Sequence, residues 1–209
     1  LIFHRRVWLL CNRLLFLLAG KKLCYDFFMS DGNRHQADYL IIGGGIAGTT
    51  AAETIRQKDE RGSIAILSKE PYELYSRVLL PRYVEGALSR EQVFLRTAED
   101  YSKRNIALFS DEEATVLDVS RKEVHTRSGA VFFYNQLLIA AGGRVKPWQV
   151  EGSDEVPVWR FHTIDDAEQI FNKVSESRER RIVIVGGGFI ALELLNAFIP
   201  RGIRGIHCI

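Results

Sequence analysis

A chain of 209 residues, 46% apolar and 26% charged, carries enough apolar surface for one good core or two small ones, which excludes a mainly disordered protein. Its 28 basic and 26 acidic residues leave a net charge of +2, and the basic residues are scattered without a long block, so nothing points to nucleic acid. Three cysteines (Cys11, Cys24, Cys208) and five dispersed histidines show no CxxC or metal-ligand spacing; this argues against a disulfide framework and a metal site and fits a reducing cytoplasm.

Residues 1–28 read as an N-terminal extension outside the fold. Val7 to Leu18 is apolar but interrupted by Asn12 and Arg13, too short and too charged for a bilayer span. No small-residue cleavage site follows, as a signal peptide would need. Met29 is the only methionine, and the natural start is expected there, with the preceding residues as translated upstream sequence. A membrane-touching amphipathic helix is the alternative.

From Asp38 the pattern becomes strand-like. Tyr39-Leu40-Ile41-Ile42 is a continuous apolar run ending in glycines, as in a strand buried on both faces of a parallel sheet. A helix is expected over Ile46 to Arg56, with small residues at Ala47, Gly48, Ala51 and Ala52 for close approach to the sheet. Ser63 to Leu67 then completes a βαβ unit of about 30 residues. Glu91 to Ser102 reads as a helix and Ile106 to Phe109 as a short strand. Ala114–Val119, Glu123–Thr126 and Val131–Tyr134 have meander spacing. Leu137 to Ala140 is a further strand, stopped by Gly142-Gly143 and Pro147, where a domain crossing is expected.

Thr163 is an expected N-cap, with Asp166 in the third position of a capping box. The opening pattern then returns: Arg181 to Val185 as a buried strand, Gly186-Gly187-Gly188-Phe189-Ile190-Ala191 as a glycine loop, Leu192 to Phe198 as a helix and Gly205 to Ile209 as a strand. The fold class is therefore α/β. A first Rossmann-like domain with a three-stranded β-meander (29–147) precedes the start of a second (148–209).

A lone GxGxxG means little, but here each copy follows a buried strand and opens a helix. In such a loop the first glycine (Gly43, Gly186) permits the turn and the second (Gly45, Gly188) lets a pyrophosphate approach. The third (Gly48, with Ala191 as a small substitute) lets the helix press on the sheet. The helix N-termini at Ile46-Ala47 and Phe189-Ile190 offer free N–H groups and a positive dipole end. An acidic side chain beyond the second strand should accept from the adenosine ribose; Glu70 is the candidate, with surface charge as the plain alternative.

Four ordered segments, DYLIIGGGIAG (Asp38 to Gly48), EPYELYSRVLLPR (Glu70 to Arg82), YNQLLIAAGGRVKP (Tyr134 to Pro147) and RIVIVGGGFIALE (Arg181 to Glu193), resemble the pyridine-nucleotide/FAD oxidoreductase family. The resemblance is strongest to its ferredoxin-reductase-like, rubredoxin-reductase-like and NADH-dependent nitrite-reductase-like branches. It implies FAD on the first loop and NAD(P)H on the second. Arg77 then lies near the FAD phosphates, where a guanidinium suits a phosphate. Pro81-Arg82 replaces the family's serine-lysine pair, so Arg82 brings charge beside the flavin.

Ala141 stands for the threonine of the family's strand-end turn, with Gly142 giving the backbone room against FAD; a plain core strand with a glycine stop is the alternative. Glu193 matches a glutamate facing the rings and is expected to pair with Arg82, against the alternative of a solvated helix residue. No cysteine lies between Glu70 and Arg104, so dithiol and cysteine-peroxidase chemistry are not supported.

The implied reaction is hydride transfer from NAD(P)H to flavin, then electron delivery to an iron–sulfur protein, rubredoxin, a nitrite-reducing centre or oxygen. The resemblance allows a homodimeric parent and gives no reason to expect a membrane. A second reading is a truncated, catalytically silent FAD-binding fragment.

Overall fold

The computed structural model describes residues 33–176 and 181–209. The expected extension 1–28, with Cys11, Cys24 and Met29, lies outside the described residues. The chain divides into two units, one of residues 33–74 with 96–142 and one of 75–95 with 143–209.

In the first unit, strands β1 (Arg34–Ile42), β2 (Ile64–Leu67), β3 (Ile106–Phe109), β4 (Ala114–Asp118), β5 (Glu123–Thr126) and β6 (Val131–Ile139) form one sheet in the order β3-β2-β1-β6-β5-β4. β1, β2, β3 and β6 run parallel, and β4-β5-β6 is an antiparallel meander. Alternation puts Leu40 on one face with Leu67, Phe109 and Phe132, and Ile41 on the other with Ile64, Ile66 and Ile106. Helix α1 (Ile46–Lys58) covers the second face through buried Gly48, Thr49 and Ala52.

Three sequence expectations are corrected. The first strand begins at Arg34, because eight of its nine residues, all but Asp38, pair with β6 residues between Val131 and Ile139, and His35 stacks on Phe132 at 4.6 Å. The expected strands 131–134 and 137–140 are a single β6, whose first half also pairs with β5; pairing with β1 carries it through polar Asn135 and Gln136. The expected helix 91–102 is a short 3₁₀ turn (Glu91–Val93) followed by α3 (Ala98–Lys103). Phe94 is extended and bridges to Tyr75, and Thr97 starts a new helix through a capping box with Asp100.

Two charged side chains tie α1 to this region. The Arg56 guanidinium donates from Nε to Arg104 O (2.8 Å), from Nη1 to Asp59 O (2.8 Å), and from Nη2 to Gly62 O (2.8 Å) and Asn105 O (2.9 Å). Arg96 donates to both Glu53 oxygens, at 2.7 and 3.2 Å, with Arg104 3.8 Å away.

The Arg96 hydrogen bond holds the Glu53 carboxyl below its ordinary value of 4.5. A carboxyl depressed in the fold stabilises fully above the unfolded pKa, and that contribution is lost as pH falls through the lower folded value. Glu53→Gln is therefore expected to lower the melting temperature near neutrality, and the gap from the parent should close on acidification below about 4. Melts across that range check it; a gap independent of pH contradicts the account.

The second unit holds α2 (Leu80–Glu85), α4 (Ile164–Glu176), β7 (Arg181–Ile184), α5 (Phe189–Phe198) and β8 (Gly205–Cys208), with β7 and β8 paired in parallel. α2 packs on both α4 and α5. The expected capping box opens α4: Thr163 N donates to Asp166 Oδ2 (2.8 Å), and Asp166 N to Thr163 Oγ1 (3.1 Å).

Candidate functional site

The first glycine loop leaves β1 with Gly43 at φ +119°, in the left-handed region. Its N–H donates to Leu67 O at 2.8 Å, at the end of β2. A Cβ at Gly43 would lie 2.2 Å from Ala140 O, and one at Gly48 would lie 1.9 Å from Gly43 O; at Gly45 it would meet nothing within 4 Å. Turn, open face and close helix packing thus fall on the three glycines as the motif requires. No side chain caps α1, and the first helical bond runs from Thr49 N to Gly45 O, so the N–H groups of exposed Ile46 and Ala47 have no partner within the helix. That is a cradle for an anion.

The second loop repeats the geometry. Gly186 sits at φ +111° and its N–H donates to Ile209 O at 2.8 Å. Gly188 has φ −80° and ψ −178°, beside −75° and −173° at Gly45. A Cβ at Gly186, Gly187 or Gly188 would meet nothing within 4 Å. Phe189 and Ile190 are exposed at the helix start, and Ala191 is buried.

Several expected site residues gather around the first loop. The turn after β6 lies against Gly43: Ala140 N donates to Ile42 O (2.8 Å), the Ala141 Cα would stand 3.1 Å from a Gly43 Cβ, and Gly142 takes φ +68°. Beyond β2, Glu70 is half-buried on a strap held by Asp111 N to Glu70 O (3.2 Å) and Glu112 N to Ser68 O (2.7 Å).

Sequence reasoning missed Ser68. It is 5% exposed, its Oγ donates to Glu70 O at 3.1 Å, and its Cβ would lie 2.7 Å from a Cβ on Gly44. The available signal was a small residue directly after an all-apolar strand.

In the second unit, Arg77 Nη1 donates to the His162 carbonyl, and its guanidinium lies 5.5 Å above the Tyr75 ring. Tyr75 was also overlooked; its hydroxyl accepts from Ile164 N at 3.2 Å at the start of α4. Arg82 on α2 and Glu193 on α5 are both exposed, and no ion pair joins them among the described residues. An exposed pair gains little over two solvated charges. Among the described residues, no group of His, Cys, Asp and Glu could hold a metal, and no helix is long and apolar enough to cross a membrane.

The pyridine nucleotide-disulphide oxidoreductase family matches residues 37–206. The chain is 33% identical to an NADH oxidase of Methanocaldococcus jannaschii over 172 residues, 78% of this chain and 38% of that protein. It is 30% identical to a rubredoxin-NAD(+) reductase of Pseudomonas putida over 166 residues, 79% of this chain and 43% of that one. NADH:rubredoxin oxidoreductase from Clostridium acetobutylicum shares the fold at a TM-score of 0.74 and 28% identity, over 83% of this chain and 45% of the other. This chain thus spans about two fifths of the length of the curated relatives it matches. With two strand–glycine–helix units in the expected order and the family match extending across both, the chain belongs to the pyridine nucleotide-disulphide oxidoreductase family.

Proposed function

We propose that the chain supplies the flavin-binding part and the opening of the nicotinamide-nucleotide part of an FAD-dependent NAD(P)H oxidoreductase. Its reaction passes a hydride from NAD(P)H to FAD and electrons to an acceptor of the iron–sulfur kind, such as rubredoxin. The reading is carried by one observation: two glycine loops with matching dihedrals, each with an open face at its second glycine. The relatives' names, an NADH oxidase and a rubredoxin-NAD(+) reductase, support the reaction class.

FAD suits the first loop, where the turn after β6 packs against Gly43 and the open face of Gly45 leaves room for a pyrophosphate. When bound, it supplies the two-electron chemistry. The protein's part is to bind and orient. The N–H groups at Gly45, Ile46 and Ala47 receive phosphate oxygens, Glu70 accepts from ribose hydroxyls, and Ala141 and Gly142 flank the cofactor. Arg77 offers a guanidinium to phosphate. Gly186, Gly188, Phe189, Ile190 and Ala191 present the matching cradle to NAD(P)H, and Arg82 and Glu193 set the charge near the reacting rings.

A second reading, FAD binding with little turnover by these 209 residues, is favoured by the two-stranded β7–β8 sheet, whose Val183 is 59% exposed.

The test is to add FAD to the purified chain, remove free cofactor and record the visible spectrum, then add NADH without oxygen. Retained flavin absorption is expected; its absence sinks the flavin reading. Rapid bleaching by NADH contradicts the silent reading. Gly45→Ala provides the control, since a Cβ there meets no protein atom within 4 Å and the backbone is extended. It should leave the melting temperature of the unliganded chain unchanged and weaken FAD by at least about tenfold.

A further inference from the structure

Thr49 lies directly after the third glycine, and its Oγ1 is 3.3 Å from the Gly44 carbonyl and 3.1 Å from the Tyr101 hydroxyl. Thr49 and Tyr101 are 1% and 4% exposed, so water does not substitute for either partner. Thr49 has one hydroxyl proton, and the Gly44 carbonyl can only accept. Thr49 therefore donates to Gly44 O and Tyr101 donates to Thr49. The result is a buried relay in one direction: Tyr101 hydroxyl, Thr49 hydroxyl, Gly44 carbonyl.

A trans peptide points its C=O and N–H to opposite sides. With the Gly44 carbonyl held inward by Thr49, the Gly45 N–H turns outward, toward the face where a Gly45 Cβ would meet nothing. We propose that Thr49 and Tyr101 are positioning residues for flavin binding, Tyr101 acting through Thr49 to lock the Gly44–Gly45 peptide with its N–H aimed at the pyrophosphate. The second loop is a built-in contrast: the matching position is Leu192, 56% exposed and unable to donate, so that loop has no such lock.

The proposal rests on the flavin reading, and the experiment separates the two. FAD affinity and amide hydrogen exchange over residues 43–49 are measured for the parent chain and for Thr49→Val, Thr49→Ser, Tyr101→Phe and the Thr49→Val/Tyr101→Phe double variant. Thr49→Val keeps the shape but cannot donate; it should weaken FAD by about three- to tenfold and speed exchange at the loop in the unliganded chain. Thr49→Ser should restore both. Tyr101→Phe should give a smaller loss, and the double variant should be no worse than Thr49→Val alone, because one residue acts through the other.

Parent-like FAD affinity in Thr49→Val, or additive losses in the double variant, overturns the lock. A parent chain that binds no FAD defeats the flavin reading instead. The exchange rates then still decide the lock: unchanged rates in Thr49→Val refute it, and faster rates restored by serine support it.

Discussion

Gly48→Ala is expected to lower the melting temperature of the first unit and to abolish retention of FAD. The new Cβ would stand 1.9 Å from the Gly43 carbonyl oxygen and 3.1 Å from Ile41 Cγ2. The first neighbour is backbone and cannot rotate away, so α1 has to lift off β1. Overpacking of this kind costs about 1–3 kcal/mol, more where backbone must move. Alanine gains about 1 kcal/mol over glycine in helix propensity, so with backbone forced to move the clash wins by a net of up to about 2 kcal/mol. Lifting the helix also displaces the N–H groups of Ile46 and Ala47, so binding should suffer more than stability. Thermal melts and flavin retention check both parts. In the second unit the position is already Ala191, with Gly186 still at φ +111°. The reverse change Ala191→Gly should cost no more than about 1 kcal/mol. A Gly48→Ala chain that melts and holds flavin like the parent would show that the close approach is not needed.

Arg56→Ala is expected to be the most destabilising change on the rim of the first unit. One guanidinium satisfies four carbonyls, at Asp59, Gly62, Arg104 and Asn105, and so joins the loop after α1 to the loop before β3. Each bond to a charged donor contributes about 1.5–3 kcal/mol when sheltered, and partial exposure lets water recover some of it. A net loss of about 2–3 kcal/mol, near 10 °C in melting temperature, is expected. Arg56→Lys should recover less than half, because a compact ammonium cannot reproduce the guanidinium's planar fork. Flavin affinity in the folded fraction should stay close to the parent's, since these carbonyls lie at the opposite end of α1 from the glycine loop. A lysine variant as stable as the parent would reduce Arg56 to a simple charge.

Both predictions bear on what the sequence could reveal. The βαβ opening and its repeat were legible, because buried parallel strands read as unbroken apolar runs and the loops carry glycine at fixed spacing. Thr163 and Asp166 announced a helix start through local chemistry alone. Arg56, Tyr75 and Tyr101 were not legible in that way: each acts on residues distant in sequence or on backbone atoms that leave no mark in the amino-acid string. The helix expected at 91–102 failed because charged residues there fit helical spacing, while Thr97 and an extended Phe94 divide the segment. The strand expected to break near Asn135 continued because β1 pairs on both sides of it. The loop glycines could be assigned by motif. For Arg77, Arg82 and Glu193, the family resemblance could suggest a role but could not say where the side chains point, and the structure gives Arg77 a carbonyl partner and leaves the other two exposed.

The path of the chain has a consequence for synthesis on the ribosome. Residues 75–95 belong with residues 143–209, so the polypeptide leaves the first unit after Leu74, returns at Arg96 and departs again after Gly142. Strand β1 must wait for Val131–Ile139, almost a hundred residues later, before its second edge is covered. Contacts this distant in sequence form slowly and leave edges open in the meantime. The nascent chain therefore carries an uncovered β1 edge until residue 139 has emerged, and a chaperone that shields strand edges would act on that interval.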